Sequence, residues 1–558
     1  MRLSHISVLV SSLLGVALLA CTPDPSQYDP LQYARQTQRA RVINVEAGIP
    51  PQCYTQTGAT RNPCWVCHTS ANGENQADDW PLQERYDFSE FALTNHWRNL
   101  FVDWGDAIAR QSDAQIQRWI AQDNYTPLRR ALGRPQTTPF LYPTTLFERL
   151  QAQQARENSQ FKGWRLDFDY ARGVDAQGFA RDGSGWRALT YKPFPGTFWP
   201  TNGSVNDVLI RLPDVLQRDA KGRYSQAIYQ INLAITAAAV GNPDARAYVT
   251  EPLDEIAAAR DLDGDGRIGG SITTLRGLPR HYVGAAYSLP VVRGQYPAGT
   301  ELLHTLHYLD PRDPDFKATR IKEVRYARKG QVLTRASIQK HYADDAREQL
   351  TGGRPHYAGN AFTGLSNDFD WTYQGWIEDE QGRLRLQTRE EHLACMGCHT
   401  GLGITVDGSF ALPRQLPGAR GWGMQTLRGQ RDTAQIGHPL PEYQLYLQRA
   451  RAGDEFAANT EMLNRFFDGD GLRQRAYEDA VNSAGGLAAL LLPSPARALQ
   501  LNKAYRALVQ TQTFIQGRDA VLQPITTVHQ KLVNDDTGLA ASEQVFKDAR
   551  LWLAPLPP

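Results

Sequence analysis

Four of the six cysteines stand in two matching units, Cys64-Trp-Val-Cys67-His68 and Cys395-Met-Gly-Cys398-His399. Two thiols at this spacing suit addition to the two vinyl groups of a porphyrin, and the histidine that follows brings an imidazole under the iron. A zinc ribbon needs its cysteine pairs close together, whereas 331 positions separate His68 from His399. A thioredoxin-like pair has no use for a following histidine, and both pairs have one. The units therefore predict two covalent haem c groups, with Cys64, Cys67, Cys395 and Cys398 as thioether residues and His68 and His399 as iron ligands. Cys53 is left over as a free thiol, an intermolecular bridge or a residue packed beside the first haem.

The sixth ligands decide between an electron relay and an open, reactive iron. Beyond the N-terminal Met, only Met396, Met424 and Met462 occur, all more than three hundred residues past His68. Histidine or an open face is thus expected at the first haem, while Met424 and Met462 are alternatives at the second. The segment Glu301-Leu-Leu-His304-Thr-Leu-His307-Tyr brings two histidines together in an apolar setting. On a helix they would share a face, and on a strand they would point to opposite sides. His304 is the candidate distal iron ligand, with His307 beside it and His356, His341 and His96 as lesser choices. Trp65, inside the first motif, is either a hopping site between haems or plain packing.

A second constellation is acidic: Asp261-Leu-Asp263-Gly-Asp265-Gly266-Arg267-Ile268-Gly269. Alternating carboxylates with glycine for a sharp turn suit calcium, so Asp261, Asp263 and Asp265 are candidate calcium ligands. The run resembles the first nine positions of an EF-hand loop, but Ile272 stands where the bidentate Glu belongs. Another acid or water must complete the shell. Asp468-Gly-Asp470-Gly reads as a turn.

The elements that must position these residues give an α+β expectation: mainly helical c-type haem domains flanking a strand- and loop-rich middle region. Residues 46–150 read as the first haem domain, helical from Phe88 to Gln122 and closed by Pro127, Pro135 and Pro139. Residues 151–330 carry short alternating stretches (Trp164 to Tyr170, Val208 to Leu212) between turns such as Asp182-Gly-Ser-Gly185 and Asp219-Ala-Lys-Gly222. Residues 331–558 read as the second haem domain, mainly helical, with Thr388 capping a helix into Cys395 and helix-forming sequence from Glu442 to about Ala549. Arg414, Arg420 and Arg428 are propionate partners by charge.

The chain begins with Arg2 and an apolar run from Ile6 to Leu19 that is too short to span a bilayer. It ends in Leu18-Leu19-Ala20-Cys21, which resembles the lipobox of bacterial lipoproteins. The resemblance implies a signal peptide over residues 1–20, lipidation at Cys21 and, with Thr22 in place of Asp, the outer membrane. Residues 21–45 form a proline-rich tether. Sixty basic against 59 acidic residues offer no surface for nucleic acid.

The paired motifs in an exported chain also resemble the di-haem c superfamily, which includes bacterial cytochrome c peroxidases, methylamine-dehydrogenase-maturing enzymes and di-haem rubber oxygenases. The resemblance covers the two motifs and the two-haem plan alone, and it carries over no catalytic residue. It implies a periplasm-facing, lipid-anchored cytochrome passing electrons to a periplasmic or outer-membrane redox partner. The alternative is a peroxidase- or oxygenase-type oxidoreductase with one open haem, and a third reading makes the middle region a binding scaffold.

Overall fold

The computed structural model describes residues 28–37, 42–71, 77–133, 166–196, 200–351, 355–454, 456–548 and 550–551. The expected signal peptide over residues 1–20, Cys21, Trp164, Pro135 and Pro139 lie outside the described residues.

The strands that build the site and its support are β1 (Arg187–Leu189), β2 (Val205–Arg211), β3 (Ala247–Leu253), β4 (Ile272–Arg276), β5 (Glu301–Leu309), β6 (Lys317–Lys329), β7 (Ala358–Asn360), β8 (Gly364–Ser366), β9 (Trp371–Glu378) and β10 (Leu384–Leu386). Eight of them form one antiparallel sheet in the order β1-β2-β5-β6-β9-β8-β7, with β10 also paired to β9. Residues in register across antiparallel strands share a face, and alternate residues change face. Ile210, Leu302, Ala327, Tyr373 and Ile377 therefore point into the main core, whereas Leu209, Leu303, Val324, Tyr326 and Trp376 point into a second core. Both faces are covered, so residues on both sides of the central strands are buried, including Arg320, Lys322, Glu323 and Lys329 of β6.

Ser225 caps the helix Gln226–Gly241 by accepting from Ile228 N–H, and thirteen of its sixteen residues are buried. A helix apolar on every side must lie inside the body, and this one packs in the main core.

This architecture corrects the expected fold class. The molecule is not a pair of mainly helical haem domains around a middle region; the large sheet is its organising element and runs through β10, beyond residue 330. Around the first motif the chain forms turns and short 3-10 pieces, with α-helices only later at Gly105–Ala109, Asp113–Ile120 and Tyr125–Gly133. Pro50, Pro51 and Pro63 deny that segment the backbone donors a helix needs. The helical expectation after Glu442 holds through Pro495–Thr511 and then fails. Residues beyond 512 instead pair with the first-motif region at Thr55↔Val528, Thr94↔Lys531 and Arg85↔Asp536, so tertiary partners outrank local propensity there.

Among the described residues no helix is long and apolar enough to cross a membrane.

Candidate functional site

The second motif is placed by a helix laid across the sheet. Thr388 Oγ1 accepts from Glu391 N–H at 3.1 Å while the Glu391 carboxylate accepts from Thr388 N–H at 2.8 Å, the capping box that starts Arg389–Met396. Three residues before Cys395, His392 Nε2 accepts from Gly375 N–H of β9 at 2.8 Å, and its Nδ1 donates to Thr388 O at 2.7 Å. Both nitrogens of His392 are thereby used, and its role is to dock the helix. His399 follows with its ring against Tyr373 at 4.5 Å and stacked on Phe410 at 5.1 Å. Its Nδ1 lies 3.1 Å from Gly408 O, so Nδ1–H donates there and Nε2 stays open for a metal.

The first motif is built from a 3-10 turn, Cys64–Val66, whose Trp65 N–H donates to Asn62 Oδ1 at 3.2 Å. His68 Nδ1 lies 3.3 Å from Asp79 Oδ2, and Asp79 Oδ1 accepts from Thr69 N–H at 2.8 Å. This too fixes the ring at Nδ1. Trp65 is fully buried in a third core with Tyr446 and Met462, which is a packing position.

The two motifs dock on each other although they are far apart in the chain. Gly403 N–H donates to Asp79 Oδ2 at 2.9 Å, and Ile404 N–H donates to Cys67 O at 3.3 Å. Two glycines make the approach possible: a Cβ on Gly397 would lie 2.1 Å from Gly48 O, and one on Gly403 would lie 2.4 Å from Asp79 Oδ1. Cys53 sits at this junction, its thiol pushed up by burial and by the nearness of Cys64 and Cys398. Burial also pushes Cys64 up to about 12. None of the five described cysteines is in a disulfide.

His304 and His307 lie on β5, a strand, and face opposite ways. His304 is in register with Arg325 of β6, which is in register with Gly375 of β9, so all three share the face beneath the second motif. Burial, then the charges of Arg325 and His399, push His304 down to about 3. Its Nε2 lies 2.5 Å from Asn206 Nδ2. His307 is spent on the other face, with Ala318 O at 2.8 Å and Tyr170 Oη and Thr305 Oγ1 both at 3.1 Å. His96 stacks on Phe91 and bonds its carbonyl, His341 lies 3.7 Å from Asp368, and His356 is exposed. Met396 and Met462 are core residues, and Met424 packs against the core on the opposite sheet face from the second motif.

Arg414 is committed elsewhere: it forms a buried bidentate pair with Glu442 at 2.7 and 2.6 Å. Arg420 and Arg428 are exposed. The side chains that frame the motifs, Asp79, Tyr373, Phe410, Arg325 and Lys547, carry no sequence signal of their own, because each is recruited from a different part of the chain. Lys547 is notable: burial pushes it down to about 7, and its Nζ has no hydrogen-bond partner among the described residues.

The acidic loop joins β3 to β4. Asp261 and Asp263 bring carboxylate oxygens within 4.8 Å of each other and of Glu255, from the short helix Glu255–Ala258. Asp265 is not in this group and is exposed. Glu255 is the acid that sequence spacing missed, since it precedes the loop instead of closing it. It accepts from Gly269 N–H at 2.7 Å and Asp263 N–H at 3.2 Å, which draws the loop around it.

Comparison with known proteins adds a family. A family model described as "-like lipoprotein" matches residues 37–478. An "Uncharacterized lipoprotein" of Aquifex aeolicus (strain VF5) is 32% identical over 532 residues, covering 85% of this chain and 86% of the relative. No solved structure matches the chain.

Proposed function

From the premise that this chain belongs to that lipoprotein family and is lipid-anchored at a membrane, we propose that it is a di-haem c-type cytochrome that relays electrons in the periplasm. Cys21 is the acylated residue, the outer membrane its site, and a periplasmic or outer-membrane redox protein its partner. The observation that supports this reading most is the docking of the two motifs through Asp79, which accepts from Gly403 N–H at 2.9 Å and holds His68 Nδ1 at 3.3 Å. Electron transfer weakens steeply with distance, so two motifs in contact suit a relay.

The residues fit the group. Cys64 and Cys67, with Cys395 and Cys398, form no disulfide and so keep their thiols for thioether bonds. His68 and His399 each hold an imidazole by Nδ1 and leave Nε2 for iron. The haems supply reversible one-electron storage. Tyr373 and Phe410 keep the His399 ring in one orientation and keep water from it. His68 has a carboxylate partner and His399 a neutral carbonyl, so the two rings are held by different groups behind the iron. His304, whose Nε2 now meets Asn206, would be a further residue to hold the second haem.

Spectra of the purified protein test the relay. Two low-spin haems that ignore carbon monoxide support it; a high-spin haem that binds carbon monoxide and turns over peroxide makes the protein an oxidoreductase instead.

Calcium is proposed at the β3–β4 loop, on Asp261, Asp263 and Glu255, for structure and not for chemistry. Binding to the native state alone raises stability with free calcium. Calcium should therefore raise the melting temperature of the native chain and leave E255Q nearly unmoved. Equal shifts in both would remove Glu255 from the site.

A further inference from the structure

Lys547 is placed where the two motifs meet. Its backbone is pinned to the residue after His68: Lys547 N–H donates to Thr69 Oγ1 at 3.1 Å, and the Thr69 hydroxyl donates to Lys547 O. The side chain is 5% exposed. Nζ lies 5.1 Å from the Trp65 ring centre and 5.0 Å from that of Phe194, with no hydrogen-bond partner among the described residues. Phe194 meets Phe410 at 5.4 Å, and Phe410 stacks on His399 at 5.1 Å. Lys547 thus stands between the first motif and the aromatic pair that reaches the second.

A buried ammonium without a partner is unfavourable, and two aromatic faces recover part of that cost. The neighbouring charges explain the rest. Arg414 and Glu442 are paired with each other at 2.6 Å. Asp79 is a further carboxylate near enough to act on Lys547, and it lies on His68. A carboxylate on a proximal histidine favours the oxidised iron, whereas a nearby cation favours the reduced one; in a low-dielectric interior both act strongly.

Resting on the di-haem reading, we propose that Lys547 is a positioning residue for redox tuning: its buried ammonium offsets Asp79 and raises the potential of the first haem relative to the second. Electrons then settle on the Cys64–His68 side. Tuning a potential is a task for a charge held near the iron at fixed distance, and Thr69 supplies the fixing.

Spectroelectrochemical titration of the full holo-protein at mildly acidic pH tests this, beside a pyridine haemochrome count on each sample. The first haem is identified as the one missing from C64S/C67S. In K547M the count stays at two and the first haem's midpoint potential falls, while the second haem's stays. K547R keeps the native value, and D79N moves the first potential upward. Two attached haems with unmoved potentials in K547M overturn the inference. Should K547M not fold, a D79N protein whose first potential is unmoved overturns it equally. A native protein without covalent haem sinks the di-haem reading itself, which the count separates from failure of the tuning.

Discussion

On the di-haem proposal, a C395S/C398S chain will carry one haem against two in the native chain, and C64S/C67S will lose the other. The expectation follows from covalent chemistry: each porphyrin is held by two thioether bonds, and serine cannot form them. The measurement is the pyridine haemochrome absorbance per polypeptide, which should halve in either double variant and vanish when all four cysteines are replaced. The two sites lie in contact, yet each has its own pair of cysteines outside any disulfide and its own Nδ1-anchored imidazole, so the loss should stay local. A native protein with no haemochrome signal and stoichiometric zinc would reject the haem assignment outright.

G397A is the second large effect, and its sign is informative. Gly397 sits at φ −65° with helical geometry, at the end of Arg389–Met396. By helix propensity alone alanine there is favourable, by up to about 1 kcal/mol. The tertiary contact says the reverse, because the new Cβ would lie 2.1 Å from Gly48 O and 3.0 Å from Pro50 Cδ. Neither neighbour is a free side-chain end; one is backbone and the other a ring fixed to it. Overpacking of this kind costs about 1–3 kcal/mol. Denaturant unfolding should show a lower midpoint with unchanged slope, and, on the di-haem proposal, the spectrum of the second haem should broaden as the motifs separate. A midpoint that rises would mean the two motif segments are not docked as described.

Much of the chemistry was legible in the residues. The two Cys-x-x-Cys-His units, the capping box at Thr388 and the strand from Val205 to Arg211 rest on short-range patterns, where a few neighbours decide the outcome. The acidic loop was legible as a turn, but Glu255 was not, because it enters from the helix before the loop. His304 and His307 had two readings, and only strand pairing chose between them: on β5 one faces the second motif and the other is spent on Tyr170, Thr305 and Ala318.

The expected helical haem domains failed for a physical reason. Proline-rich sequence around the first motif cannot make its own ladder, so its backbone groups are satisfied by the segment beyond residue 512. That segment is helix-poor because it serves as the partner. By itself, then, the sequence determined the identity of the reactive groups, their local spacing and the lipoprotein class, since these depend on residue type and near neighbours. Only the tertiary structure decided that the motifs touch, that Asp79 serves both, that Glu255 joins the acidic loop and that Lys547 lies between them. Those facts arise from burial and long-range hydrogen bonding, which bring together residues that no local pattern relates.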